Sequence, residues 1–383
     1  MRQDRRQFRP GVTGLEARQL LSNVPATPST VVSFKGNNHS VVSPLVMDGQ
    51  GNLYGSASGG GNGSGKGVGS VFEIPAGTQK PVTLATFDGQ KGYLISNVTV
   101  DAKGDVFGTI SGEGGVIGNG SAFEIPAGSK TPTMLASFDN NYNQEFPHGV
   151  IEDNQGNLFG TAATGGPDGV GSIFEIARGS NTPIALAGFN QAAPAPEGLV
   201  ADAQGNLFGT DAGGGSQGYG SVFELARGSH TITPLVTFGG LDGAGISNVT
   251  IDSQGNLYGT TEDGGEYGAG LVFEIARGSN TATTLASFNT LNGAEPSRAV
   301  GVVADASGNL YGVTKAGGAY NSNNGTVFEL AKNSGTITTL ATFKNNTGYL
   351  VNGLAIDAQG NLEGSVNGTG SNGGAIFKVV LGK

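Results

Sequence analysis

The chain has no cysteine, no tryptophan and only three histidines, and charged side chains make up just 13% of its 383 residues. Without cysteine there are no disulfides, no thiolate metal sites and no cysteine nucleophile. No run of about 18 apolar residues occurs, so no transmembrane segment is expected. Basic charge is also scarce: 20 Lys and Arg stand against 30 Asp and Glu, for a net charge of −10. Five of the arginines (Arg2, Arg5, Arg6, Arg9, Arg18) fall in the first 23 residues, so the remainder is more acidic still. An acidic surface repels a phosphate backbone, which sets nucleic acid aside as a partner. The histidines His39, His148 and His230 are far apart in sequence, and general acid–base catalysis needs a positioned partner beside each. No G-x-S-x-G elbow and no H-E-x-x-H helix occurs.

Glycine, by contrast, is abundant at 70 residues, with no collagen-like period, so it reads as turn chemistry. The phrase "DAQGNLFGT" (202–210) explains much of it. Close variants begin at Asp48, Asp101, Asp153, Asp202, Asp252, Asp305 and Asp357, separated by 49 to 53 residues. Each copy continues through a glycine-rich loop into a "GSVFEI"-like segment, then a turn such as "ARGSN", then "TLASF". Every unit contains four short runs rich in Val, Ile, Leu, Phe and Thr, bounded by Gly, Asn or Asp, which read as strands. No sustained 3.6-residue apolar period competes with that reading. Four strands at a repeat of this length predict one propeller blade per unit.

The expected fold is therefore an all-β, seven-bladed propeller of four-stranded blades. "D-x-x-G-N" is read as a tight hairpin, with Gly at positive φ and Asp accepting backbone N–H bonds. The aromatic after "NL" is placed between neighbouring blades, and so are the "VFEI" glutamates. The last unit ends after its third strand, and the missing "TLASF" equivalent stands at the other end as "STVVSF", Ser29 to Phe34. The N-terminal strand should complete the C-terminal blade and leave no open edge.

The unit "GNLYGTTEDGGEYGAGLVFEI" (255–275) resembles the GloVer glycine-rich tandem repeat of bacterial secreted or surface-anchored, choice-of-anchor proteins. The likeness covers about residues 29–383. Blade seven departs from it, with Glu363 for the aromatic and Lys378 for the "VFEI" glutamate. Residues 8–22, "FRPGVTGLEARQLLS", resemble a planctomycete-type export segment, although by composition alone they read as a basic tail without an apolar core. The resemblance implies an extracellular propeller and brings no catalytic residue. Residues 1–26 are assigned to the export segment or tail and 27–383 to the propeller.

Other motifs weigh less. "GGNGSGKG" (60–67) lacks the Ser or Thr of a phosphate loop and precedes a strand, so it reads as a hairpin loop. The seven repeated aspartates are assigned to turns, because a metal site is an asymmetric constellation. Loops such as "TEDGGEYGAG" lack the spacing of calcium-binding repeats. No metal and no cofactor is expected.

Hairpins of the "DAQGN" and "ARGSN" type fall on one face of such a ring and repeat closely. The second-to-third loops and the inter-blade linkers fall on the other and vary. Specific recognition is expected where the repeat breaks, and the linkers carry Tyr93, Tyr142, Phe146, His148, Glu197, Asp242, Glu295, Arg298 and Tyr349. The reading is a monomeric, non-enzymatic surface scaffold that binds a protein or a glycan. A lyase or hydrolase acting on a polysaccharide or small molecule, and a purely architectural surface-layer component, are the alternatives.

Overall fold

A computed structural model describes residues 28–35, 40–41, 43–58, 69–87, 94–111, 120–138, 144–166, 169–190, 196–296, 301–318, 325–343, 350–367 and 372–382. They form seven antiparallel four-stranded blades, with no helix among the described residues. Blade 4 is representative: Pro196–Ala201 is innermost, then Leu207–Asp211, Ser221–Leu225 and, outermost, Thr233–Thr237. In blades 1, 5 and 6 the innermost strand is split into two short pieces, both paired to the second strand.

The ring closes as the sequence predicts. Ser29–Lys35 is the outermost strand of blade 7, with Ser29 opposite Lys378 and Ser33 opposite Ala375. Its Phe34 ring then packs on Phe72 of blade 1, centroids 5.1 Å apart.

That contact is one of seven. At each blade junction the phenylalanine ending the outermost strand meets the "VFEI" phenylalanine of the next blade: Phe87–Phe123, Phe138–Phe174, Phe189–Phe223, Phe238–Phe273, Phe288–Phe328 and Phe343–Phe377. Centroid distances run from 4.7 to 5.3 Å, all tilted or edge-on. Such pairs add about 0.5–1.5 kcal/mol beyond the burial of the rings themselves.

The glycine after the aromatic in "NLYG" exists for the same rings. Gly55, Gly108, Gly160, Gly209, Gly259, Gly312 and Gly364 sit directly across the sheet from the "VFEI" phenylalanines. A Cβ added at any of them would stand only 2.4–2.8 Å from the ring edge. Close approach, not backbone conformation, requires glycine there.

The next residue is a serine or threonine in six blades. Where it reaches across, it joins neighbouring blades near the axis. Thr161 donates to the Glu197 carbonyl (3.0 Å), Thr109 to that of Pro147 (3.4 Å), Ser56 to that of Ile95 (3.4 Å) and Ser365 to that of Ser43 (3.4 Å).

The turn chemistry follows the sequence reading. The "D-x-x-G" glycines have φ between 79° and 91°. Asp48 Oδ1 accepts from the backbone N–H of Gln50 and Asn52, both at 2.9 Å. The asparagine stitches this hairpin to the next one, as Asn52 Oδ1 accepts from Ala76 N–H at 2.8 Å.

Two expectations follow. Gly209→Ala drives a methyl into Phe223 and is expected to destabilise by about 1–3 kcal/mol. Gly49→Ala faces open space and should stay within about 0.5 kcal/mol. Urea unfolding of the two variants checks this, and equal midpoints would contradict the ring-on-glycine contact. Removing residues 1–36 should expose a strand edge, unseat Phe72 and lower the melting temperature sharply, whereas removing 1–23 should leave it unchanged. Equal melts for the two truncations would refute closure by the N-terminal strand.

Candidate functional site

The turn face holds a repeated polar network that accounts for its carboxylates. The Tyr258 hydroxyl contacts Asp252 Oδ2 (3.2 Å) and Glu274 Oε1 (3.1 Å), and Tyr311 does the same with Asp305 and Glu329 (both 3.1 Å). The tyrosines pack towards the next blade, as expected: Tyr54 lies in a cluster with Ile95, Val98 and Val106 of blade 2. For two of the glutamates the expectation of pairing between blades is corrected: Glu274 and Glu329 bond tyrosines of their own blade. The physical reason is register, because Tyr258 stands directly opposite Glu274 and Tyr311 opposite Glu329.

Blade 7 keeps the network with inverted charge. Lys378 Nζ sits 2.6 Å from Asp357 and 2.8 Å from Glu363. The two departures from the repeat therefore compensate each other: Glu replaces the tyrosine where Lys replaces the glutamate.

Electrostatics on this face split by residue type. For Asp48, burial opposes ionisation, but bonds from Asn52, Gln50 and Tyr54 outweigh it and lower the pKa. Asp153, Asp252 and Asp357 are lowered by the same balance, with Lys378 helping Asp357. Glu73, Glu124 and Glu152 are raised, first by burial and then by nearby aspartates. Burial and these carboxylates also push the hydroxyls of Tyr54, Tyr258 and Tyr311 far above the ordinary tyrosine value, so they stay neutral donors.

Clefts open on this face between adjacent blades. The one between blades 5 and 6 has a volume of about 750 Å³ and is lined by Tyr258, Glu274, Leu285, Asp305 and Lys332. Equivalent clefts of about 550 Å³ and 650 Å³ lie between blades 2 and 3 and between blades 3 and 4. His230 lines the last of these, its Nδ1 2.8 Å from the Leu186 carbonyl. Their polar groups are largely those of the turns themselves. Among the described residues no three His, Asp or Glu side chains group as metal ligands.

The opposite face carries the second-to-third loops and the linkers. Here the structure separates the residues singled out from sequence. Tyr93, Tyr142, Arg298 and Tyr349 lie outside the described residues, as does "GGNGSGKG". Phe146 and His148 belong to the innermost strand of blade 3, Gln144–Glu152, and Glu197 to that of blade 4, Pro196–Ala201, rather than to linkers. The sequence reading took them for loop because the polar, Pro- and Gly-containing runs before each Asp hide strands that line the axis. Asp242 is exposed on this face in its linker, whereas Glu295, also exposed and with φ of 51°, belongs to the inner-strand piece Ala294–Pro296 of blade 6 rather than to a linker.

His148 and Glu197 occupy equivalent places in adjacent blades, five residues before the repeat Asp. The same position holds Ser43, Ser96, Ser247, Val300 and Asn352 elsewhere. Ser43 and Ser247 turn inward and accept the backbone N–H of Ser56 (2.8 Å) and Thr260 (2.9 Å). His148 instead is exposed, yet desolvation by the surrounding chain lowers its pKa. Both hold for a ring at the axis, where solvent enters but protein walls surround it.

The following residue explains the crowding: Asn97 lies against Gly149, Asn248 against Gly198, and Pro44 against Gly353. Gly198 N–H donates to Asn248 Oδ1 at 3.0 Å. The residues that sequence reading missed are Tyr219, Leu241, Tyr267 and Leu291, all exposed on the linker face. Their signal was present, since leucine is third after the strand-ending phenylalanine only in these two linkers.

Fold and site together define a repeat-built β-propeller with a uniform turn face and a variable linker face. The chain matches the Gloeobacter/Verrucomicrobia repeat family twice, over residues 21–195 and 182–377, and belongs to it. No curated protein matches the chain. Solved structures share the fold at low identity. The extracellular domain of a one-component system from B. thetaiotaomicron aligns with TM-score 0.56 at 9% identity, over 92% of this chain and 40% of that one. PorZ, a bacterial surface component of the type-IX secretion system of Porphyromonas gingivalis, gives TM-score 0.53 at 18%, over 87% and 46%. The acylaminoacyl peptidase of Pyrococcus horikoshii gives 0.56 at 7%, over 91% and 52%. This chain thus spans about half or less of the length of each of these three. No helix among the described residues is long and apolar enough to cross a membrane.

The shifted carboxylates generate a pH expectation. The aspartates, lowered from 3.8, contribute stability above that value and lose it as pH falls through their folded pKa. The glutamates, raised from 4.5, favour the protonated native form, so their contribution is present below 4.5 and lost as pH rises through their folded pKa. His148, lowered from 6.5, opposes the glutamates, because its contribution is lost as pH falls below that value. In a His148→Gln variant the melting temperature should therefore rise on acidification from neutrality, peak at about pH 4–5 and then fall. A steady decline from pH 7 downward, followed by differential scanning calorimetry, would contradict this balance.

Proposed function

We propose that this protein is an extracellular, non-enzymatic propeller at the cell surface that binds a protein or a glycan through its linker face. One observation carries the reading. The phenylalanine pairs and glycine platforms that hold the blades together recur in all seven, while the residues at equivalent linker-face positions differ from blade to blade, as His148, Glu197 and the serines do. Packing demands repeat; a ligand meets only some blades. The extracellular and surface settings of two propellers of the same fold support the location, and the export-like segment at 1–26 fits it.

Tyr93, Tyr142, Phe146, His148, Glu197, Asp242, Arg298 and Tyr349 are the proposed contacts. A rigid scaffold that displays aromatic and charged side chains suits binding. The test is a glycan array and a pull-down from cell-surface extract with the full chain. Saturable binding without turnover of the bound species is expected. Tyr142→Ala with Phe146→Ala should weaken it by at least about 2 kcal/mol if either is an anchor, with the thermal melt nearly unchanged. Binding that survives this pair and all the other linker-face changes, but is lost on changing the "ARGSN" turns, would place the site on the other face. Chemical conversion of the ligand would replace the binding reading with an enzymatic one.

A further inference from the structure

Apolar side chains at turn tips are unusual, because such tips are solvated and normally polar. This protein places four large ones on one arc of the linker face. Leu241 is 89% exposed, Leu291 71%, Tyr267 59% and Tyr219 40%. Scattered single hydrophobics need no explanation, whereas a contiguous set marks an interaction site. The segments that carry these four are tied to one another. The Tyr219 ring lies against Gly240, where an added Cβ would be 3.4 Å from the ring, and Gly240 precedes Leu241. Gly265 N–H donates to the Leu241 carbonyl at 3.2 Å and so ties the Leu241 turn to the loop carrying Tyr267. The same loop receives Glu295 N–H at the Ala269 carbonyl, 3.2 Å, which ties it to the linker carrying Leu291.

Both leucines are held rather than loose. Gly243 N–H closes the Leu241 turn on the Gly240 carbonyl at 3.3 Å, with both glycines at positive φ. Asn289 Oδ1 accepts from Leu291 and Asn292 N–H at 3.0 and 2.9 Å, and Asn292 Oδ1 accepts back from Asn289 N–H at 2.8 Å. The leucines occupy the same place in successive linkers, third after Phe238 and Phe288. In the other five linkers that place holds Gln90, Asn141, Ala192, Asn346 or Asn37. Two preset aliphatic knobs thus stand one blade apart, which lowers the ordering cost of docking.

The surrounding charge is of one sign. Asp242, Asp263, Glu266 and Glu295 are all exposed on this arc. Lys315 is the one basic side chain among its described residues, and it is tied to Glu262. Leucines offer no hydrogen bonds to a hydroxyl-rich sugar, and the carboxylates attract cations. We infer that the linker face of blades 4 to 6 docks a protein segment that is apolar and basic, with Leu241 and Leu291 as anchors. This deepens the binding reading above and rests on it.

The test selects a random peptide library displayed on phage against the full chain, counter-selected with the Leu241→Ser, Leu291→Ser double variant. Both positions are solvent-exposed, so the double variant should melt as the parent does. Enriched peptides should combine large apolar residues with Lys or Arg, weaken with added salt, and lose at least about tenfold in affinity for the variant. Three outcomes overturn the inference: no enrichment, peptides that bind the variant equally, or a glycan-array hit that depends on the two leucines. The last leaves surface binding standing and changes only the occupant. Failure of the binding reading itself would instead appear as turnover, or as no saturable ligand in the array and pull-down.

Discussion

Seven phenylalanine pairs hold the ring together, and the rest of the repeat is arranged around them. Each pair joins the outer strand of one blade to the third strand of the next, at 4.7 to 5.3 Å between centroids. The ring of the third strand needs room on its own sheet, which is why glycine ends every "NLYG"-like segment, including "NLEG" in blade 7. A glycine in a strand costs stability by itself. Here the cost is offset because the removed side chain is replaced by a buried aromatic ring. The hydroxyl residue after it then ties several blades together near the axis. A single strand of "GNLYGT" thus encodes a turn stitch, a core leucine, an interblade aromatic, a ring platform and, in some blades, a clasp.

Closure depends on the same contact. Without Phe34 the seventh pair has no partner for Phe72, and blade 7 lacks its outer strand. Ser29–Lys35 and Asn372–Val379 therefore meet in one blade, and the Ser29 hydroxyl reaches the Lys378 carbonyl at 3.1 Å. Blade 7 also tolerates the largest departure from the repeat, because the ion triad of Lys378, Asp357 and Glu363 fills the place of the tyrosine–carboxylate network. The polar layer of the turn face thus demands complementarity rather than a given residue type.

A scaffold with this much repetition leaves its opposite face free to vary. There the side chains at equivalent positions are inward serines in some blades and exposed His148 in another. On the arc of blades 4 to 6, apolar tips sit among carboxylates. Such a face separates recognition from folding: a residue change at a turn tip touches neither the phenylalanine pairs nor the glycine platforms. The reading of the protein as a surface binder rests on this separation.

The repeat made the architecture legible from the sequence, since identical neighbours impose identical residues. Blade number, strand order, the "D-x-x-G-N" turns, the interblade aromatics and the N-terminal closure all followed from spacing alone. What spacing did not reveal was which repeated polar residues meet each other. Glu73, Glu274 and Glu329 face tyrosines of their own blade because cross-strand register decides it, and the compensation at Lys378 is visible only once Glu363 stands opposite it. The candidate site was less legible still. His148 and Glu197 looked like loop residues, since a strand lining a crowded axis is allowed glycine and proline where ordinary strand patterning is not. The leucine tips were written in the sequence, but their contiguity was not. Four separate loops, spread over residues 219–291, come to one side of the ring only when it sets successive blades next to each other.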